Sequence, residues 1–399
     1  MSAKRLFSTE KSKNQTTVRQ RGLSHCMSAL EENHRQEILK DLSKKFQIYG
    51  EFLYAEPCKI GHINETWVVA YNQGGTNVRY VLQRINTNVF KDPDTVMHNM
   101  TIITEHIRSQ LEKNGVNDIT RRVLTIVPTR DGKSYYRNEK DECWRAFLYV
   151  EGARTYEAAV SPKQAYQAGK AFGTFQCLLS NLDKNQIKET IPDFHNTRKR
   201  FSTLLAAIES DHFNRAKIAE NEIKFALKHE NIVDVLLKAL ASGKLQERIT
   251  HNDTKFNNVM LDDKTGEQMC VVDLDTVMPG LVLYDFGDMV RTTTSPTLED
   301  EVDLSKVKMR MNMFEALARG YYEATNSFLT KAEKSYLAFS GKLITFTIGI
   351  RFLTDYLMGD CYFRVHRPNH NLDRCRTQFK LVESIEQQEE KMQKFVDKL

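Results

Sequence analysis

The sequence predicts an α+β protein of two lobes, a small strand-rich N-terminal lobe followed by a larger, mostly helical one. Three observations carry this prediction. Segments rich in β-branched and aromatic residues crowd the first 150 positions, long amphipathic helical periods dominate after Glu151-Gly152, and 399 residues reach the length at which single cores stop growing. The boundaries read as a basic tail over 1–27, an N-lobe over 28–150 and a C-lobe over 151–399.

Order is expected from Ser28, where Ser28-Ala29-Leu30-Glu31 forms a capping box, into a helix with Ile38, Leu42 and Phe46 on one stripe that ends at Gly50. Residues 65–71 and 78–85 flank Gln73-Gly74-Gly75 and read as a hairpin, with a second hairpin at 123–138. Between them Val96, Met100, Ile103 and Ile107 recur at helical spacing, and 144–150 supplies a further strand. The C-lobe has amphipathic stretches near 162–181, 216–241, 306–358 and 373–397, interrupted by a strand-rich patch at 248–275.

Composition narrows the functional classes. The chain is 41% hydrophobic and 27% charged, and with no apolar run judged long enough to cross a bilayer it is expected to be soluble, with no membrane partner. Its formal charge of +5 resides in residues 1–28, which leaves the folded part balanced and argues against a nucleic-acid surface. Seven scattered cysteines form no C-x-x-C pair or disulfide spacing, which fits a reducing, cytoplasmic compartment. The basic, Ser/Thr-rich tail has the character of either a solvated terminus or an organellar targeting segment. No protein partner is inferable from charge.

The strongest motif is His251-Asn252-Asp253-Thr254-Lys255-Phe256-Asn257-Asn258, spaced H-x-D-x-K-x-x-N, followed by a short hairpin and by Asp273-Leu274-Asp275. Phosphoryl transfer asks for a carboxylate beside the attacking hydroxyl and for oxygen ligands to magnesium, and an aspartate, an amide and a second aspartate provide them. No G-x-x-x-x-G-K-[ST] occurs, which argues against a P-loop route to ATP.

This segment, with Tyr284-Asp285-Phe286-Gly287-Asp288, resembles the catalytic loop of the kinase-like superfamily in its aminoglycoside phosphotransferase and choline kinase branch. The resemblance implies a two-lobed protein-kinase-like fold with ATP as co-substrate and Mg2+ as cofactor. It implies Asp253 as base, Lys255 near the γ-phosphate, and Asn258, Asp273 and Asp275 as metal ligands. His251 would pack against the metal-binding segment, and Asp285 would hold backbone groups of the loop.

In the N-lobe, Lys59–Thr66 lies where a phosphate loop belongs, with Gly61 allowing close backbone approach. On the strand that follows, Gln83 takes the place of the usual lysine, with Asn99 as its expected amide partner and Arg84 as a further phosphate-binding cation. The hinge Phe147–Val150 would meet adenine through the backbone of Leu148 and Val150.

Several stretches look like N-acetylhexosamine 1-kinases: Gly61–Thr66, Leu82–Asn86, Asp273–Gly280 with Tyr284–Arg291, Arg351–Asp355 and Asn371–Gln378. The resemblance implies transfer of the ATP γ-phosphate to the anomeric hydroxyl of N-acetylglucosamine or N-acetylgalactosamine, with His62, Asp253, Asp288, Arg291 and Arg351 contacting the sugar. Phe194-His195 either lines the sugar site or packs. Other small acceptors stay open, among them choline, ethanolamine, homoserine, methylthioribose and aminoglycosides, as does a catalytically silent nucleotide-binding module. A protein kinase is disfavoured, because neither D-F-G at Asp273 nor an A-P-E segment is present. The pair His366 and His370 is not read as a zinc site, since Pro368 interrupts the helix that would align them.

Overall fold

The computed structural model describes residues 33–58 and 63–399. The tail, the Ser28–Glu31 capping box, and Gly61 and His62 lie outside the described residues. Two units emerge, one running through Val89 with Ile126–Tyr149, the other comprising Phe90–Thr125 and Val150–Leu399.

In the first unit, helix α1 (33–43) precedes strands β1 (Glu51–Pro57), β2 (Glu65–Gln73), β3 (Thr76–Arg84), β4 (Ile126–Val127), β5 (Tyr136–Arg137) and β6 (Cys143–Leu148). They form one antiparallel sheet ordered β1-β2-β3-β6-β4, with β5 also on β6. The β2–β3 turn is Gly74-Gly75, with φ of +63° and +89°, as a two-residue turn matching strand twist requires. One face of β2 and β3, with Trp67, Val69, Tyr71, Tyr80 and Leu82, packs with Leu39 and Phe46 into a core. The expected hairpin at 123–138 is not formed. β4 and β5 pair instead with successive stretches of β6, Ile126 opposite Phe147 and Tyr136 opposite Trp144, because two-residue strands find better partners along that longer edge.

The second unit contains α2 (Pro93–Lys113), β7 (Ala153–Arg154), α3 (Pro162–Leu179), α4 (Thr197–Ser210), α5 (Glu220–Lys228), α6 (Val235–Ala241), β8 (Arg248–Thr250), β9 (Val259–Asp262), β10 (Gln268–Val271) and β11 (Met278–Gly280). Helices α7 (Val282–Thr294), α8 (Met311–Thr325), α9 (Lys331–Ser335), α10 (Leu337–Leu357), α11 (His370–Glu386) and α12 (Glu389–Asp397) complete it. The strand-rich patch resolves into two short pairings, β10-β9-β7 and β11-β8. Helix α2, which lies in sequence among the strands of the expected N-lobe, belongs to this unit and buries Val96, Met100, Ile103 and Ile107. Asp92 caps it, accepting from Thr95 N–H at 3.2 Å, with Pro93 in the first turn.

Helix α10 corrects the expectation about apolar length. It is long and apolar enough to cross a bilayer by length and composition. Yet 78% of its most apolar window is buried within the protein, which is the signature of a core helix. α7 crosses it closely, because Gly287 brings its backbone to where a Cβ would lie 2.4 Å from Ser340 O.

Candidate active site

The H-x-D-x-K-x-x-N segment leaves β8 and is suspended from Asp285, in the first turn of α7. Asp285 is fully buried. Its Oδ2 accepts from His251 N–H at 2.9 Å and its Oδ1 from Asn252 N–H at 2.7 Å, while Oδ2 also accepts from Gln176 Nε2 at 2.6 Å. Its backbone carbonyl accepts from the Thr254 hydroxyl at 2.6 Å. Burial pushes the Asp285 carboxyl above the ordinary range, opposed by His251 and the two amides. Gln176 is in turn fixed by the Tyr321 hydroxyl, which donates to its Oε1 at 2.7 Å. Gln176 and Tyr321 carry no signal in the sequence, since each link spans more than a hundred residues.

Asn252 takes a left-handed backbone, φ +66°, which asparagine tolerates better than most residues. Its amide donates to Thr250 O, Thr276 O and Met278 O, tying the loop to the β11 side. Gly280 makes room there, because a Cβ would lie 2.5 Å from Thr250 Oγ1 and 2.9 Å from Asn252 Oδ1. His251 is buried edge-on to Phe172 and Phe175 and bonds Val272 O through Nε2 at 2.9 Å. Its Nδ1 then accepts from Asp253 N–H at 3.3 Å, so the histidine joins the Asp253 backbone to the segment that leads into Asp273.

The Asp253 carboxylate is 18% exposed and forms an ion pair with Lys255 Nζ at 3.0 Å. Burial raises its proton affinity, but Lys255 and His251 outweigh that, so it sits below the ordinary carboxylate range and is ionised at neutral pH. The lysine is correspondingly held above its usual value, first by Asp253. Asn258 donates Nδ2 to Asp253 O at 2.9 Å, and no hydrogen bond reaches its Oδ1 among the described residues. Val272 N–H donates to Asn258 O at 3.0 Å, which sets Asn258 beside Asp273. Asp273 is half-buried with φ +61°, and Asp275 is buried. Oxygen-only donors of this kind, an amide and carboxylates, suit a hard divalent cation such as magnesium.

Asp288 and Arg291 are both buried and joined to each other, Arg291 Nε reaching Asp288 Oδ1 at 2.8 Å. Arg291 also bonds Glu299, a residue sequence reasoning missed. The arginine's donors therefore face carboxylates of its own chain, whereas Asp288 Oδ2 is buried without a partner among the described residues. Both carboxylates act on the Lys255 ammonium.

Arg351, on α10, lies against three rings, with its guanidinium carbon 5.1 Å from the Phe194 centroid, 5.4 Å from Phe363 and 5.7 Å from Tyr362. It does not pair with Asp355. That carboxylate accepts from Tyr362 N–H at 2.8 Å, Phe363 N–H at 2.9 Å and Asn371 Nδ2 at 2.8 Å, and so holds the loop that presents the rings. His195 is buried, with Nε2 against Asn252 O at 2.8 Å and Nδ1 unpartnered among the described residues, and burial drives its pKa down to about 3. His370 bonds Asp300 through Nε2 at 3.0 Å and accepts from His366 N–H through Nδ1.

The expected amide pair is corrected, since Gln83 and Asn99 each take their partners within their own unit. The Gln83 Oε1 accepts from both Nε and Nη2 of Arg145, directly opposite on β6, and its Nε2 donates to Thr66 Oγ1 at 2.9 Å. Asn99 instead bonds Lys188 N and O and Val277 O within the second unit. Arg84 is held by Glu65 and Glu142, each at 2.7 Å, so its charge is already matched, which weighs against its expected use on a phosphate. Leu148 ends β6 opposite Tyr80, and Val150 is buried as the first residue of the second unit's long segment.

Comparison with solved structures shows the same fold in three small-molecule kinases. A microcompartment-associated aminopropanol kinase aligns at TM-score 0.54 and 14% identity, covering 90% of this chain and 98% of that one. An aminoglycoside phosphotransferase from Alicyclobacillus acidocaldarius aligns at TM-score 0.57 and 12% identity, covering 90% and 96%. A choline kinase from Cryptosporidium parvum aligns at TM-score 0.51 and 12% identity, covering 88% and 95%. Residues 55–319 match the phosphotransferase enzyme family, APH. The chain therefore belongs to the APH phosphotransferase family and is a small-molecule kinase of that fold.

Proposed function

We propose that the chain transfers the ATP γ-phosphate to the anomeric hydroxyl of an N-acetylhexosamine, giving a sugar 1-phosphate. The observation that carries the acceptor class is Arg351. A guanidinium seated among Phe194, Tyr362 and Phe363, with no ion pair among the described residues, reaches the loop that holds Asp253 through Phe194 and its neighbour His195, whose Nε2 meets Asn252 O at 2.8 Å. A cationic acceptor such as choline needs the reverse, rings or carboxylates without a competing cation. A neutral sugar is served by directional donors and acceptors.

Asp253, ionised and oriented by His251 and Asn258, is positioned to hydrogen-bond the acceptor hydroxyl and take its proton as the bond to phosphorus forms. Lys255 offsets charge on the transferred group. Asn258 and Asp273, with the buried Asp275 as a further carboxylate, would hold magnesium, which when bound neutralises phosphate charge. We further propose a reducing, cytoplasmic setting, which fits seven scattered cysteines with no C-x-x-C pair or disulfide spacing.

The test is incubation of the purified chain with ATP, magnesium and N-acetylglucosamine or N-acetylgalactosamine, with phosphorus NMR for sugar 1-phosphate and Asp253→Asn alongside. Product with the wild type and none with the variant supports the reading. No sugar phosphate while choline or an aminoglycoside is phosphorylated refutes it.

A further inference from the structure

Arg351 does not act on Phe194 alone. From α4, Arg200 donates Nε and Nη2 to the Phe194 carbonyl at 3.3 and 3.1 Å, while Arg351 lies over the same residue's ring. Two guanidiniums thus bracket one phenylalanine. Neither forms an ion pair among the described residues, although Arg198 on the same helix is matched by Asp234 and Glu230, and Arg215 and Arg248 have carboxylates of their own. Three arginines of this unit thus have carboxylate partners, whereas the strongest charge acting on Arg200 after burial is Arg351, with Asp193 a weaker opposing one. The next residue, His195, touches Asn252 O at 2.8 Å, immediately before the base, so the positive pair stands beside the catalytic loop. The Arg200 guanidinium is held below its ordinary range, by burial first and by Arg351 second, against the opposing pull of Tyr362 and Asp193.

We infer that Arg200 is a specificity-determining residue which, with Arg351, forms a cation-excluding wall of the acceptor site. The wall admits the neutral N-acetyl sugar, whose carbonyl oxygen is an acceptor for guanidinium, and rejects the same sugar carrying a protonated amine. Like charges brought together in a partly desolvated site are strongly unfavourable. The inference rests on the proposed acceptor site at Arg351 and adds to it a residue and a rule of selection.

The test compares N-acetylglucosamine with glucosamine at a pH where the amine is protonated, using the wild type, Arg200→Gln, Arg200→Glu and Arg200→Lys. Affinity is read by calorimetry, which needs no turnover, and kcat/KM by phosphate transfer from ATP. The wild type is expected to favour N-acetylglucosamine by at least about tenfold, Arg200→Gln to shrink that ratio by about tenfold through glucosamine KM, and Arg200→Glu to shrink it further. Arg200→Lys keeps the charge and is expected to keep the ratio, which a purely structural role would not do. A ratio unchanged in folded Arg200→Gln and Arg200→Glu overturns the inference, as does wild-type binding of neither sugar. Binding with the expected ratio but no transfer removes the proposed reaction and leaves the wall standing, whereas wild-type turnover of choline or ethanolamine removes both.

Discussion

Asp285→Asn isolates the suspension of the His251–Asn258 loop from the chemistry proposed for Asp253. The new side chain would have to present an amide N–H where one carboxylate oxygen now accepts. At the Oδ1 position it meets the N–H of Asn252, and at Oδ2 it meets both the N–H of His251 and the amide of Gln176. The second arrangement requires Gln176 to flip, which removes the acceptor of the Tyr321 hydroxyl, so the first is favoured. It loses one charge-assisted bond, about 1.5–3 kcal/mol, and strands a buried N–H at about 1–3 kcal/mol more, so on the order of 2.5–6 kcal/mol in loop order.

At about 1.4 kcal/mol per decade, a loop that must be re-ordered in each turnover loses on the order of 10²–10⁴ in kcat. Global stability moves less. The carboxyl's folded pKa is raised, so its contribution to stability is fully present below the unfolded value and falls as pH rises through the folded one. The neutral amide is free of that penalty at neutral pH. Initial-rate kinetics and thermal unfolding on the same preparation test this. Unchanged kcat would refute the loop-holding role, and complete unfolding at assay temperature would refute the separation of loop order from global stability.

Three further outcomes are expected. His195 refuses a proton between pH 6.5 and about 3 that the unfolded chain accepts, so the unfolded state binds more protons and stability rises with pH there by up to about 1.4 kcal/mol per unit; His195→Gln should flatten that limb in denaturant titrations. Gln83→Lys, which restores the residue type usual at that strand position, should lower the melting temperature through about 1–3 kcal/mol, because its ammonium meets Arg145, and a stabilised variant would disprove the pairing. Gly280→Ala should cost about 1–3 kcal/mol and lower kcat together, with Thr250→Ala in the same chain recovering part of the loss as the 2.5 Å clash is removed.

The local part of the candidate site was legible because Asp253, Lys255 and Asn258 sit within six positions, and the structure joins them as an ion pair and a side-chain bond, since short spacing survives any uncertainty of register. Asp285 was readable for the same reason, being part of a contiguous motif. What pairs across the chain was not. Gln83 meets Arg145 only because β3 and β6 lie in one register, and alternation along a single strand gives the face of a side chain without naming its neighbour. Arg84 likewise finds Glu142 at a distance of 58 residues along the chain.

Helix α2 shows a related limit, since its apolar stripe was plain and its allegiance was not; an amphipathic face states that it will be buried without stating against what. Helix α4 escaped notice, and with it Arg200, because its large buried side chains are only Phe201 and Leu204, set among a run of basic and hydroxyl residues.

The Gln176–Asp285–loop connection joins α3, α7 and the segment after β8, and α8 enters through Tyr321. The amides of His251 and Asn252 lie outside regular secondary structure, yet their hydrogen bonds end on a carboxylate in the interior. Solvent hydrogen therefore reaches them only when α7 itself comes away from the helices around it. The amides of this irregular segment are thus expected to exchange with the slowly opening core rather than with the loops around them.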